Sequence, residues 1–379
     1  MDFELSQDHK VLRDSVREFV EKEIKPIARR IDEEHMIPDD LVAKMGELGL
    51  LGSYFPEEYG GAGLDMLSYA IVVEEVSKAC ASSGVLISAH TSLCCAPIYT
   101  FGTDEQKQKW LPALNTGHTI GCFLLTEPDA GSDAGSIATS FRKEGDEYVI
   151  NGSKSFITNG GYLGTGVIFA TSDKGLKHKG ISAFIVDLSS PGVVILRNEQ
   201  KMGIRGSYTT AFALDNVRIP AENLLGREGE GFKIAMDTLN GGRIGIASQA
   251  LGIAEGAFER ALAYSKVRKQ FGVPICDQQA IQFKLADMYA KIETSKLMTY
   301  KAASLKDAGK KYVLESALCK MLASEAATYV TKEAIQIHGG YGFMCDYEVE
   351  RMYRDAKITE IYEGTNEVQR IIISKLLLG

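Results

Sequence analysis

The chain has 379 residues, of which 45% are hydrophobic and 24% charged, and its formal net charge is −8. That composition is ordinary for a globular protein, and the length allows two or three domains around large cores. With no basic block to offset the acidic balance, the numbers argue against a general nucleic-acid binder.

Met1-Asp2-Phe3-Glu4 lacks a basic region followed by an apolar run, so no secretory signal is expected and a cytoplasmic location is. Residues 6 to 25 carry Val11, Leu12, Val16, Phe19, Val20 and Ile24 on one helical face, with Ser6 as cap and Pro26 at the end. A shorter helix follows Pro38, with Leu41, Met45 and Leu48 inward and Gly49 at its end. After the Gly-rich turn 57–63, helical segments are expected near 67–80 and 88–100. Thr103-x-x-Gln106 is a capping-box start for another. No uninterrupted apolar stretch of about twenty residues occurs, so no membrane span is expected.

The texture changes at Thr119. Residues 120–126, 148–150, 167–171, 181–186, 193–196 and 209–214 are short, rich in β-branched or aromatic side chains, and separated by Gly, Asn, Asp and Pro. With no helical segment between them, they predict an antiparallel β-barrel or sandwich. Helical texture returns at Gly231, in segments near 231–268, 279–308, 313–337 and 346–376, which predict an up-and-down four-helix bundle. The expected fold class is therefore multi-domain α+β: an N-terminal helical domain (1–118), a middle antiparallel β domain (119–226) and a C-terminal helical bundle (227–379).

Several chemistries are disfavoured. There is no strand–Gly-x-Gly-x-x-Gly–helix unit, no P-loop and no Gly-x-Ser-x-Gly elbow. The six His show no ligand spacing, so no metal site is expected. Seven scattered Cys without a Cys-x-x-Cys predict buried free thiols in a reducing compartment.

The remaining candidates are polar, Gly-rich turns. The loop from Leu125 through Thr126, Glu127, Pro128, Asp129, Ala130, Gly131 and Ser132 to Gly135 offers hydroxyls and bare N–H groups, which suit a flat heterocycle. Asn151-Gly152 signals a hairpin turn, after which Phe156 and Thr158 alternate onto one strand face. Asn240-Gly241-Gly242-Arg243 interrupts a helical pattern, either for close packing or for a ligand passing the backbone. Arg268-x-x-Phe271-Gly272 with Gln279, and Gln336-Ile337-His338-Gly339-Gly340, stand at helix ends. Near the C-terminus, Glu363 lies in Tyr362-Glu363-Gly364-Thr365-Asn366-Glu367, as a general base on a turn or as a solvated surface residue.

Together these marks resemble the acyl-CoA dehydrogenase family along nearly the whole chain, and within it the short-chain (butyryl-CoA) branch with its anaerobic enoyl-CoA and aryl-acrylyl-CoA (caffeoyl-CoA type) reductases. The resemblance implies a homotetramer that binds FAD. Phe123, Leu124, residues 125–132, Phe156, Ile157 and Thr158 would contact the flavin. Arg268, Gln279, Gln336, Ile337, His338, Gly339 and Gly340 would hold it across a subunit interface, and Thr365, Asn366 and Glu367 would complete the site. Ser132, Asn240, Gly241, Gly242, Arg243 and Gly364 would lie along the acyl-CoA. Glu363 would be the catalytic base, since Gly242 stands where other members carry theirs. Phe156 stands where many members have Trp, and Asn240 where many have Asp.

The activity implied is α,β-dehydrogenation of a short-chain acyl-CoA to a trans-2-enoyl-CoA, with electrons passed to an electron-transferring flavoprotein, in transient or stable complex. The alternatives are the reverse reaction, as an enoyl-CoA or aryl-acrylyl-CoA reductase, and a silent acyl-CoA-binding scaffold.

Overall fold

A computed structural model describes residues 4–379; Met1-Asp2-Phe3 lie outside the described residues. Helix α1 (Gln7–Phe19) starts at Ser6, whose hydroxyl accepts from the His9 N–H at 3.2 Å. Val16 faces the core, whereas Val11 is exposed, contrary to expectation. Five residues at 3.6 per turn place the two about 140° apart, outside one stripe. Pro26 does not end the helical path. A π turn (Val20–Ile24) tightens into a 3-10 turn (Lys25–Ile27) with Pro in its first turn, and α2 (Ala28–Glu34) continues. Proline has no N–H to satisfy there. Helix α3 (Asp39–Glu47) closes one residue before Leu48, which therefore leaves the inner face and is exposed.

Four more helices follow: α4 (Met66–Ala79), α5 (Ala81–Ala89), α6 (Ala96–Phe101) and α7 (Asp104–Asn115). The capping box at α7 is complete, with Thr103 and Gln106 bonding reciprocally. The run from α5 through a π turn (His90–Cys95) to α6, residues 81–101, is long and apolar enough to cross a membrane by length and composition, with a mean hydropathy of 1.3, but 78% of its apolar window is buried inside the protein. Some of its polar side chains, which break up the pattern in the sequence, are bonded internally: Thr91 Oγ1 donates to Leu51 O at 2.8 Å, and His90 Nδ1 accepts from Gly121 N at 2.8 Å.

The middle domain is one eight-stranded sheet: β1 (Gly121–Leu124), β2 (Ser140–Glu144), β3 (Glu147–Thr158), β4 (Thr165–Thr171), β5 (Ile181–Asp187), β6 (Val193–Asn198), β7 (Thr209–Pro220) and β8 (Leu224–Leu225). Most pairs are antiparallel, but β1 pairs with β4 in parallel, so the sheet is mixed. The chain leaves β1, makes the β2–β3 hairpin and re-enters at the same end as before. Strand β2 was not expected, and β3 is far longer than 148–150. Asn151-Gly152 lies inside β3 at a register shift, not at a hairpin turn; a Cβ on Gly152 would stand 2.6 Å from Thr139 Oγ1. The bulge thus lets β3 pass close to its neighbour.

Strand β4 is buried on both faces. Ile168 and Ala170 enter the core of the β domain, while Val167 and Phe169 join a second cluster with Phe55, Ile98, Leu111 and Ile234. Alternation along one strand therefore fastens the sheet to the N-terminal helices and to the start of α8.

Helix α8 (Gly231–Val267) runs uninterrupted through Asn240-Gly241-Gly242-Arg243, so the two glycines do not break it. It packs with α9 (Gln279–Asp307) and α10 (Val313–His338). The last expected bundle helix is split. Helix α11 (Val349–Ala356) and a 3-10 turn (Lys357–Glu360) precede an irregular turn, and α12 (Asn366–Leu378) follows it. Of the cysteines, all free, Cys276 is partly accessible and Cys345 exposed, so the expectation of uniformly buried thiols does not hold.

Candidate active site

The split creates the site. Glu363 (φ +52°) and Gly364 (φ +91°) are both left-handed, a conformation that reverses the chain between the 3-10 turn and α12. Three side chains fix the turn. Thr365 caps α12 by accepting from Val368 N at 3.3 Å, Gln369 Nε2 donates to Gly364 O at 2.8 Å, and the Tyr362 hydroxyl donates to Gln249 on α8. Gln249 in turn donates to Ala81 O at 3.0 Å, so the turn is tied to the N-terminal domain.

The turn aims Glu363 at α8. Its Oε2 is buried and has no hydrogen-bond partner, although the residue as a whole is only half-buried. A Cβ on Gly242 would stand 2.2 Å from that oxygen and 2.8 Å from Leu93 Cδ2, so only glycine admits the carboxylate there. Burial pushes the Glu363 carboxyl up to about 8, against the opposing pull of Lys320 and Arg243. The Glu363 N–H has no acceptor among the described residues.

Arg243 is buried, with Nη1 donating to Asn240 Oδ1 at 2.6 Å and Nε unpartnered. Lys320 was not singled out in the sequence. It is fully buried on α10 and donates to Asn366 Oδ1 at 3.0 Å; burial lowers its ammonium to about 8. The available signal was a lysine among the small residues Ala317, Cys319 and Ala323. Asn366 is also held by Ser324, so its side chain serves the turn's interior. Glu367 is exposed in the first turn of α12.

The β-domain loop is held from beneath. The Glu127 carboxylate accepts from Lys154 Nζ at 2.7 Å, from Ala138 N at 2.6 Å and from Thr139 N at 3.0 Å, and Lys154 also donates to Leu125 O at 3.1 Å. Lys154 is fully buried, so this pair clamps the loop to β3. Leu124, Leu125, Ala130 and Ile157 turn their side chains into the protein; Phe123 packs on Phe169 with ring centroids 4.8 Å apart. Pro128, Asp129, Gly131, Ser132 and Phe156 are exposed, and Thr126 and Thr158 half-exposed. Phe156 is 62% exposed at φ +58°, an apolar ring presented to whatever covers this face.

Arg268, Ile337, His338, Gly339 and Gly340 converge on another cleft of about 530 Å³, with Tyr264 and Tyr341. Tyr264 and His338 stack at 4.3 Å, and Arg268 lies over the Tyr341 ring at 5.4 Å. Gln279 and Gln336 are exposed, and no residue of the β-domain loop lines this cleft. Arg268 is 26 residues beyond Gly242, about 39 Å along the axis of α8 at 1.5 Å per residue. One chain therefore brings Glu363, Gly242 and Arg243 together but keeps the Arg268 cleft apart from them.

Profiles of the acyl-CoA dehydrogenase N-terminal, middle and C-terminal domains match residues 6–118, 122–217 and 229–378. The chain belongs to the acyl-CoA dehydrogenase family. Its members are flavin-dependent oxidoreductases that act on the CH–CH bond of acyl-CoA thioesters, and they bind FAD. The chain is 54% identical over 374 residues to the short-chain specific acyl-CoA dehydrogenase of Clostridium acetobutylicum, covering 99% of both chains. It is 47% identical to butyryl-CoA dehydrogenase from Megasphaera elsdenii, with a TM-score of 0.98 and full coverage of both chains. A chain from structural work on the electron transferring flavoprotein of Acidaminococcus fermentans and flavin-based electron bifurcation is 51% identical, also at a TM-score of 0.98 with full coverage of both.

Proposed function

We propose that the protein is an FAD-dependent short-chain acyl-CoA dehydrogenase in which Glu363 exchanges the α-proton of the thioester substrate. The observation that carries this reading is the Glu363 carboxylate, buried and unpartnered at Oε2 and lodged against Gly242.

The residues present fit a flavin. Exposed Phe156 offers a ring, and Cβ positions on Gly131, Gly339 and Gly340 would meet nothing within 4 Å, which leaves backbone N–H groups open to a ligand. Phe123, Thr126, Gly131, Ser132, Phe156 and Thr158 would hold the ring end; Arg268, Gln279 and 336–340 would hold the remainder. About 39 Å of α8 between Gly242 and Arg268 exceeds what one dinucleotide spans, which supports a second copy of the chain supplying the Arg268 cleft, as in a homotetramer. Exposed Phe271, Phe283 and Phe343 are apolar surface suited to such contacts. When bound, FAD supplies the acceptor for the hydride that leaves the β-carbon.

The chain's own residues manage the proton. A carboxyl near 8 is a far better match to a weak carbon acid than an ordinary glutamate near about 4.3. Lys320 and Arg243 keep the carboxylate form within reach. The free Glu363 N–H is a donor for the thioester oxygen as negative charge develops on it. Gly242 leaves room for carboxylate and substrate to meet, and Asn240 and Arg243 line the same stretch of α8.

The same carboxyl, protonated, can deliver the α-proton in the reverse direction, and the electron partner then decides which way the reaction runs. Likeness to the Acidaminococcus fermentans chain supports an electron-transferring flavoprotein as that partner. The test is Glu363→Gln with FAD bound. The purified variant should remain yellow but bleach with butyryl-CoA at least about 10²-fold more slowly, the usual contribution of a general base. Near-normal turnover would refute the assignment.

A further inference from the structure

Lys306 differs from the other cations near the proposed active site. It is the penultimate residue of α9, and its Nζ points to α8, where a Cβ on buried Gly241 would stand 2.8 Å from it. Tyr54 and Tyr312 present their rings to the ammonium, with centroids 5.5 Å and 6.0 Å away. Among the described residues it has neither a hydrogen-bond acceptor nor a carboxylate at ion-pair distance. Arg243 and Lys320, by contrast, each donate to an asparagine. The adjacent Asp307 is engaged elsewhere: its carboxylate accepts from Met66 N at 2.7 Å and from Leu67 N at 3.3 Å at the start of α4. The buried Tyr54 hydroxyl has no partner either. A lysine between aromatic rings is ordinarily a packing contact. Here the amine is left without an anion in a setting that disfavours its charge, and burial lowers its ammonium to about 8 against the pull of Asp307.

Gly241 adjoins Gly242, against which the Glu363 carboxylate lodges. With consecutive Cα atoms about 3.8 Å apart, Nζ is no more than about 12 Å from Glu363 Oε2. An acyl-CoA whose α-carbon lies at Glu363 and whose arm follows Asn240 and Gly241 has its thioester between the two. An amine that titrates near 8 holds about 10²-fold more free base between about pH 7 and 8 than an ordinary lysine near about 10.4. A free amine beside a thioester carbonyl is a nucleophile, and a bound geometry spares it the bimolecular encounter.

We propose that Lys306 is a self-acylation site: its Nζ attacks the carbonyl carbon of a bound acyl-CoA, the C–S bond breaks, and the acyl group stays on Nζ as an amide. The coenzyme A thiolate leaves and takes up the proton that the amine loses. One free thiol therefore appears for each amide, and no reagent beyond the thioester is consumed. The inference rests on the acyl-CoA reading above and gives it a brake. The amide removes a positive charge and fills the space beside Gly241, which obstructs the next thioester, so activity falls as acyl-CoA accumulates.

The test incubates FAD-loaded protein with butyryl-CoA and locates butyryl amides by peptide mass spectrometry, with exposed Lys310 and Lys311 as internal references. FAD-loaded Glu363→Gln, which should turn over slowly, keeps the thioester intact during the incubation. Lys306 should be acylated at least about tenfold faster than the references, the gain in free base less what a weaker base loses in nucleophilicity. The rate should saturate with butyryl-CoA and level off above about pH 8. Wild-type dehydrogenase activity should fall in step with occupancy, whereas Lys306→Arg and Lys306→Met, which offer no amine, should keep theirs. Acylation that matched the references or rose linearly with butyryl-CoA would overturn the proposal, as would a parallel loss of activity in both variants. If wild type neither bound nor oxidised butyryl-CoA, the acyl-CoA reading itself would fail. The succinimidyl ester of butyric acid, which needs no binding site, would then still report whether Lys306 is the reactive amine, and equal labelling of Lys310 would dismiss it.

Discussion

Gly242 on α8 and Glu363 on the turn before α12 occupy a single space: a methyl group on the glycine would stand 2.2 Å from the carboxylate Oε2. Gly242→Ala should improve the helix itself by about 1 kcal/mol. The carboxylate is the flexible end and must give way. Thermal unfolding should therefore stay near wild type while kcat for butyryl-CoA falls about 10²-fold, the scale expected of a catalytic group displaced by about 1 Å. Loss of folding and activity together would contradict this.

The pH dependence follows from the raised carboxyl. Dehydrogenation needs Glu363 as carboxylate, so kcat/KM should climb with pH and level off above about 8. Reduction of an enoyl-CoA needs the protonated form and should decline over the same range. Stability has a definite sign too. With its folded value raised to about 8 from an ordinary value near about 4.3, the folded state binds more protons between those limits. Stability from this group is thus greatest below the lower limit and falls until the upper one. Glu363→Gln removes that loss, so its melting temperature relative to wild type should rise from about pH 5 to about pH 9.

Lys320 couples the base to the fold. Its ammonium helps hold the Glu363 carboxylate down and donates to Asn366 Oδ1 at 3.0 Å. Lys320→Met should move the midpoint of the kcat/KM profile upward by about one unit, typical for removal of a near opposite charge. Stability should fall as well, by about 1 kcal/mol for the one lost hydrogen bond, since Ser324 Oγ still donates to Asn366 Oδ1 at 3.1 Å. A lower melting point with an unmoved profile would make Lys320 purely structural.

Beneath the β-domain loop, Lys154 and Glu127 form a buried pair at 2.7 Å. Lys154→Met strands a carboxylate in the interior and should cost about 3–5 kcal/mol. Because the pair clamps residues 125–130, FAD retained after gel filtration should drop with it. Adding Glu127→Gln should restore part of the stability; failure to do so would mean that the loop depends on the charges themselves.

Much of this architecture was legible from local chemistry. The capping box at Thr103, the β texture after Thr119 and the long segments after Gly231 each express a propensity that tertiary packing only reinforces. The misreadings occur where tertiary contacts decide. Asn151-Gly152 has hairpin chemistry, but Thr139 presses on β3 there and makes it a bulge. The glycines of 240–243 looked like a break because helix propensity cannot register a carboxylate waiting 120 residues further on. The split between α11 and α12 was missed since Ile361, Tyr362 and Val368 maintain apolar texture across a turn whose left-handed residues are not glycine alone. At the candidate site, Gly242, Arg243 and Glu363 lie together in one chain, whereas Arg268 and 337–340 form a separate cleft. The burial of Lys320 and Lys154 was invisible, because a lysine's burial depends on partners that the linear sequence does not reveal.

Helix α8 works as a ruler. Along one rigid rod lie Phe232 against His178, Gly242 against Glu363 and, just past its end, Arg268 in its cleft. Spacing and bearing between them are set by a rise of about 1.5 Å and a rotation of about 100° per residue. A substitution on the exposed side of the rod alters one contact; a single inserted or deleted residue near Leu251 would swing the Arg268 end through slightly more than a right angle relative to Gly242. Length variation in this helix should therefore be far less tolerable than sequence variation, even at positions that touch no ligand.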